Sequence, residues 1–203
     1  MELTENIRAR RLTLGLTLES LAERSGVSRA MLSEVERGLK NPTIKVVCQI
    51  AEALGCSVSQ LLGEESPSRL PESLKILRRE ERQSLLDPRS GVERHLLSPA
   101  FLRRGLEVLW YIIPPGQDTG TFPPHQSGVE ENITVVEGEL HCRIDNQNVI
   151  LRVGDSIFFR ANTAHGFSNP GSNPCTYFLV IDSSRAREPQ SLSFTKQSLI
   201  DKF

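Results

Sequence analysis

The 203-residue chain has no continuous apolar run long enough to span a bilayer and no signal peptide, so a soluble, cytoplasmic protein with no membrane partner is expected. It also has little net charge. Lys and Arg number 24 against 25 Asp and Glu, leaving −1, which excludes a surface that grips nucleic acid all over and leaves room for a local positive footprint. Cysteine is sparse: Cys48, Cys56, Cys142 and Cys175 show no paired short spacing, which argues against a disulfide framework or a zinc knuckle and for reduced thiols. Internal repeats and low-complexity segments are missing too. With 38% hydrophobic residues, the length suits a small domain joined to a medium one.

What is present is concentrated first in residues 16–38, which read LTLESLAERSGVSRAMLSEVERG. Two short amphipathic helices meet at Gly26, and Thr17 and Ser28 are each placed to cap one of them by accepting from backbone N–H groups that lack an intrahelical partner. Leu18, Leu21 and Ala22 share one face of the first helix; Val27, Met31 or Leu32, and Val35 repeat along the second. Both stripes must face one small core. The exposed face of the second helix then carries Arg29, Ala30, Ser33, Glu34 and Arg37, side chains of a size that a major groove admits. Arg8, Arg10, Arg11, Arg24, Lys40 and Lys45 complete a positive footprint around it.

Helical periodicity continues beyond Gly38. Asn41-Pro42-Thr43 is a turn and a fresh helix start, Ile44, Val47, Ala51 and Leu54 follow at helical spacing, and Val58, Leu61 and Leu62 make a last short helix. With an opening helix around Ile7, Leu12 and Leu14, this predicts a five-helix domain over residues 1–63. Residues 64–72 turn to Glu, Ser and Pro and read as a linker. From 73 to 185 the pattern alternates: 107–113, 133–136, 140–144, 149–153, 156–159 and 176–181 are strand-like runs separated by turn residues such as Pro114-Pro115-Gly116 and Gly154-Asp155. Further strands are expected over Leu74–Leu77 and Ser84–Leu97. Such short, closely spaced strands predict an antiparallel sandwich or barrel. Residues 186–203 read as a surface extension, giving an α + β two-domain chain.

The motif SGVSRAMLSEVERG followed by NPT resembles the Xre-type helix-turn-helix family of lambda-repressor-like regulators. By that resemblance the base-reading positions are Arg29, Ala30 and Glu34, with Ser33, and the backbone contacts are Thr17, Ser28, Arg37 and Lys40. The chemistry is consistent with the mapping. Arg29 can donate two hydrogen bonds to a guanine edge, Glu34 can accept from a cytosine amine, and Ala30 can pack on a thymine methyl.

The second half resembles the cupin family, a jelly-roll β-barrel. Its first motif appears as His125-Gln126-Ser127-Gly128-Val129-Glu130-Glu131 with Gly138 in register, Ser127 standing where the family has a second histidine. Gly154, His165 and Asn169 keep the spacing of the second motif, while Arg160 and Asn162 replace its Pro and Gly. The resemblance implies a metal held by His125, Glu131 and His165, a set able to bind divalent Zn, Fe, Mn or Ni. The same residues could instead form a hydrogen-bonded, metal-free ligand pocket, with Ser127 and Arg160 beside them.

Joined, the two resemblances imply a sequence-specific, DNA-binding transcriptional regulator, not an enzyme, acting as a homodimer on a palindromic operator in double-stranded DNA. The barrel would sense a small-molecule effector, support dimerisation, or both. The rival reading is a metal-dependent cupin oxidoreductase resembling the phosphonate epoxidases, which carry a similar helical domain. That group has its first metal-binding His four residues before the Glu, where this chain has Ser127.

Overall fold

The computed structural model describes residues 3–63 and 76–186, so the expected linker and nearly all of the expected C-terminal extension lie outside the described residues. Five helices come first: α1 (Leu3–Thr13), α2 (Leu18–Ser25), α3 (Arg29–Glu36), α4 (Ile44–Ala53) and α5 (Val58–Leu61). Thr17 Oγ1 accepts from Ser20 N and Ser28 Oγ from Met31 N, and Gly26 turns the chain at φ 67°, a left-handed conformation natural to glycine. Leu21, Leu32, Val35, Val47 and Ile50 are wholly buried together. Each contributes about 1.5–3 kcal/mol of burial. Of the two residues at the α3 position left open by the sequence, Leu32 is the core one and Met31 packs at its edge.

The opening helix departs from expectation. Leu12 and Leu14 are 57% and 49% exposed, and the inward positions of α1 belong to Ile7 and Arg11. Arg11 sits one turn beyond Ile7 and is held by Glu36 through two hydrogen bonds of 2.6 and 2.8 Å, with a third to the Leu16 carbonyl at 2.8 Å. Arg10 likewise hydrogen-bonds the carbonyls of Leu54 and Gly55. These two arginines hold the domain together instead of adding to a free positive face.

Among the described residues the second part contains nine strands: β1 (Ser84–Leu86), β2 (Glu93–Leu96), β3 (Leu106–Ile113), β4 (Glu130–Glu137), β5 (Glu139–Ile144), β6 (Gln147–Arg152), β7 (Ser156–Arg160), β8 (His165–Ser168) and β9 (Cys175–Asp182). They form an antiparallel six-stranded sheet, β1-β2-β3-β9-β4-β7, and a three-stranded sheet, β6-β5-β8. Strict alternation along β3, whose even-numbered residues are half-buried and odd-numbered residues buried from Leu106 to Ile113, turns Glu107, Leu109, Tyr111 and Ile113 inward. Leu109, Ile133, Leu140, Phe167 and Tyr177 lie in one core between the sheets. Tyr111 stacks on Tyr177 at 5.2 Å.

The expected run Ser84–Leu97 is split because Asp87 accepts from Arg89 N and Ser90 N, building a turn between β1 and β2. Ile76 and Leu77 are not strand, while Leu74 falls outside the described residues. The strand β8 went unforeseen: His165-Gly166-Phe167-Ser168 is buried at its first three residues and so has no alternation to detect.

The helices rest directly on the sheets through α4. Ile44 is a member of the barrel core, and its N–H donates to Asp87 Oδ2 at 2.9 Å. Cys48 packs against both cores. On the other face of the same helix, Val47, Ile50 and Leu54 belong to the helical core.

Candidate functional site

On the helical domain, Thr17, Ser28, Arg29, Ala30, Arg37 and Lys40 are exposed and Ser33 and Glu34 half-buried around α3. They flank a helix whose inner residues, Leu32 and Val35, are fixed in the core. The charged members are already paired on the protein: Arg29 with Glu19 of α2, and Lys40 with Glu34 at 3.4 Å. Both pairs are well exposed, so breaking them to meet a base or a phosphate costs little, of the order of 0–1 kcal/mol. Arg37 Nε donates to the Ser33 carbonyl at 3.1 Å, which closes the end of the helix.

The second constellation lies where the barrel meets the helices. A cavity of ≈ 330 Å³ is walled on one side by Cys48, Glu52 and Cys56 and on the other by Arg94, Glu107 and Glu131, together with His125 and His165. That volume falls in the range that holds small-molecule ligands. Register explains part of the wall. Glu107 on β3 and Glu131 on β4 both pair with Ile181 of the intervening β9, so the two carboxylates occupy one row across three strands.

His125, Glu131 and His165 converge, each offering a ligand atom within 4.8 Å of the others. His125 Nε2 is 3.2 Å and His165 Nε2 3.5 Å from Glu131 Oε1. The outer nitrogens are also engaged: His125 Nδ1 lies 3.3 Å from Glu52 Oε2, and His165 Nδ1 lies 2.9 Å from the Thr163 carbonyl. A carbonyl only accepts, so Nδ1 of His165 carries a proton. Burial works against charge on both members of the His125–Glu131 pair. Hydrogen bonds to Glu131 and Glu52 outweigh it and raise the His125 pKa, while those from His125 and His165 lower that of Glu131.

Beside this cluster runs a second buried ion pair. Arg94 Nη2 donates to Glu107 Oε2 at 2.6 Å and to Ser59 Oγ of α5 at 3.2 Å, so it too ties barrel to helices. Arg94 Nη1, Glu107 Oε1 and Glu131 Oε2 are buried without a partner among the described residues. Such groups cost about 1–3 kcal/mol each when left unmatched, which marks this wall as one built to receive something.

Residues 7–61 match the helix-turn-helix family and residues 109–181 the cupin-domain family. The regulator PuuR of Escherichia coli is 28% identical over 162 residues, covering 79% of this chain and 84% of its own. The regulator DdrOP3 of Deinococcus deserti is 30% identical over 109 residues, covering 51% of this chain and 77% of its own. The crystal structure of a helix-turn-helix transcriptional regulator from Vibrio cholerae superposes with a TM-score of 0.73 at 28% identity, covering 89% of this chain and 94% of that one. The chain belongs to the helix-turn-helix transcriptional regulators. It is a DNA-binding regulator with a cupin domain. The Fe(II) form of the hydroxypropylphosphonic acid epoxidase HppE, 20% identical with a TM-score of 0.50 over 88% of this chain and 97% of that one, shares the fold alone.

Within the regulator, sequence reasoning and structure part company at the cavity's edge. His125, Glu131 and His165 are brought together, but Ser127 and Arg160 are not with them. Both are exposed and border a separate recess with Gly128, Asn162 and Arg185. The cause is local: Ser127 and Gly128 form a turn ahead of β4, and Arg160 ends β7 on its outward alternation. The charged residues that do line the cavity, Glu52, Arg94 and Glu107, were missed. A signal for one of them exists in the sequence, since Glu107 takes an inward position of an otherwise apolar strand, whereas Arg94 lies in the polar run Glu93-Arg94-His95. All four thiols are pushed up by burial, Cys48 and Cys142 to about 12 and Cys56 and Cys175 to about 11, which leaves them unreactive.

Proposed function

We propose that the regulator reads duplex DNA through α3, as a homodimer on a palindromic operator, and that its barrel senses a small ligand held between the two domains. Arg29, Ala30, Ser33 and Glu34 read base edges, while Thr17, Ser28, Arg37 and Lys40 hold the phosphates. One observation carries the sensing role: a single cavity is bounded by α4 and by the barrel, so whatever fills it touches both. A ligand that fits one relative placement of the domains better than another shifts DNA affinity by that difference, and no catalysis is needed. The polar wall and open volume favour sensing over a barrel that serves dimerisation alone. For the dimer contact we favour β7, one of the two edges of the large sheet, which exposes Phe158.

The ligand's chemistry follows from the wall. Three carboxylates, Glu52, Glu107 and Glu131, face two cations, Arg94 and His125, and two of the unpartnered atoms are acceptors. A ligand bringing positive charge is favoured. A divalent ion meets that need, and the donor set of two imidazole nitrogens and a carboxylate with a free oxygen fits one. When bound, it would supply a fixed charge that anchors an oxygen or nitrogen of a small ligand.

The test is selection of DNA by the full chain from a random pool. The selected site should be a palindrome with half-sites about one helical turn apart. Arg29→Ala should lose about 1–3 kcal/mol on that site and little on random DNA. Equal loss on both would remove Arg29 from the base-reading set.

A further inference from the structure

We propose that Glu52, a residue of the DNA-reading domain, is the outer partner of the barrel's His125–Glu131–His165 site, and that through it occupancy of the site is felt along α4. The proposal rests on the sensing reading above and names its route. Ile44, Cys48 and Glu52 recur every four residues and so form one stripe of α4. Each touches the barrel differently: Ile44 enters its core and donates its N–H to Asp87, Cys48 packs on the apolar wall, and Glu52 reaches His125. The opposite stripe, Val47, Ile50 and Leu54, lies in the helical core, where α4 packs on α2 and α2 in turn packs on α3. A change on the first stripe therefore acts on the helix that supports α2, and through α2 on the reading head.

The two histidines differ in what holds their outer nitrogens. His165 Nδ1 is satisfied inside the barrel, by the Thr163 carbonyl at 2.9 Å. His125 Nδ1 is satisfied from the other domain, by Glu52 Oε2 at 3.3 Å. Metal-binding histidines characteristically donate their second N–H to a carboxylate or carbonyl, which fixes the ring and raises its basicity. An ion held by the Nε2 atoms leaves the Nδ1–H of His125 directed at Glu52, so the outer shell of a barrel site is completed by a helix of the reading domain. Removing the outer carboxylate should weaken the site, and an ion should hold α4 more firmly when the carboxylate is present.

Cobalt(II) is the probe, added to the full chain and followed by visible absorption in the wild type, Glu52→Gln and His165→Ala. The wild type should bind one equivalent, His165→Ala should lose that signal, and Glu52→Gln should bind about 10–100-fold more weakly. Amide hydrogen exchange over residues 44–56 should slow when cobalt is added to the wild type and stay unchanged in Glu52→Gln at saturating cobalt. Thermal unfolding of Glu52→Gln without metal should remain one cooperative transition, which separates the effect from misfolding. Wild-type affinity in Glu52→Gln, or equal slowing of exchange in both, overturns the proposal. Failure of the wild type to bind cobalt overturns it as well, while leaving the DNA-selection result, and with it the regulator reading, standing.

Discussion

Arg94 offers the sharpest test of how the domains are joined. Its guanidinium is 2% exposed and bridges Glu107 at 2.6 Å and Ser59 at 3.2 Å, and the Glu107 side chain is itself 8% exposed. Arg94→Ala leaves that carboxylate buried with both oxygens unmatched, since Oε1 has no partner even now. Breaking one side of a buried pair costs about 3–5 kcal/mol; the adjoining cavity can admit water to the stranded carboxylate, so the lower end, about 3 kcal/mol, is expected here. Removing both charges together, as Arg94→Met with Glu107→Leu, should recover most of the loss, because similar volume is kept and no ion is desolvated. Ser59→Ala deletes only the link to α5 and should cost about 0.5–1.5 kcal/mol. Urea unfolding followed by the fluorescence of Trp110, the chain's one tryptophan, reads the barrel directly. If Arg94→Ala falls within 1 kcal/mol of the wild type, or the double variant is as unstable as the single one, the buried pair does not have this role.

Asp87 joins the domains under pH control. Burial pushes its pKa up, but N–H donors from Arg89, Ser90 and Ile44 outweigh that and hold it below its ordinary 3.8. A depressed carboxylate stabilises the fold above its unfolded value and loses that contribution as pH falls through the folded one. The stability gap between wild type and Asp87→Asn should therefore be constant near neutrality and shrink once pH drops below 3.8; a gap that widens on acidification would contradict the assignment. Lys40→Ala should weaken binding to all DNA alike and lower the slope of log affinity against log salt by about one. A loss confined to one base position would make Lys40 a base reader instead.

Much of this architecture is legible in the chain because local rules decide it. Thr17, Gly26 and Ser28 fix α2 and α3 by capping and by a left-handed turn, and alternation from Leu106 to Ile113 fixes which residues of β3 face inward. What the sequence conceals is set by contacts distant along the chain. Arg11 and Arg94 look like surface charges until Glu36 and Glu107 are placed against them. Glu52 looks like one more exposed acid of an amphipathic helix. The clue to its role is that α4 is apolar over too wide an arc, with Val46 and Cys48 beside Val47 and Ile50, which marks a helix covered from two sides.

The cluster at His125 shows why motif spacing alone does not identify a ligand set. Counting back along β4 in steps of two from inward-facing Glu131, both Ser127 and His125 would share its face if the strand continued. It does not continue. The strand begins at Glu130, and Ser127 and Gly128 form a turn in which Gly128 adopts φ 98°. A side chain at Gly128 would clash with the Arg185 carbonyl, so the close approach there keeps the turn tight. Ser127 is thereby carried to the surface, while the loop before it is held by His125 N donating to the Ala161 carbonyl at 2.9 Å, which places His125 in the cavity. Ser127→His, which restores the family's second histidine in sequence, should therefore add no third imidazole. Its cobalt spectrum and affinity should match the wild type, with the new ring exposed near Arg160. A gain of tenfold or more in affinity with a changed spectrum would show that the turn at Gly128 yields to the metal, and that spacing, not the turn, decides which side chain enters.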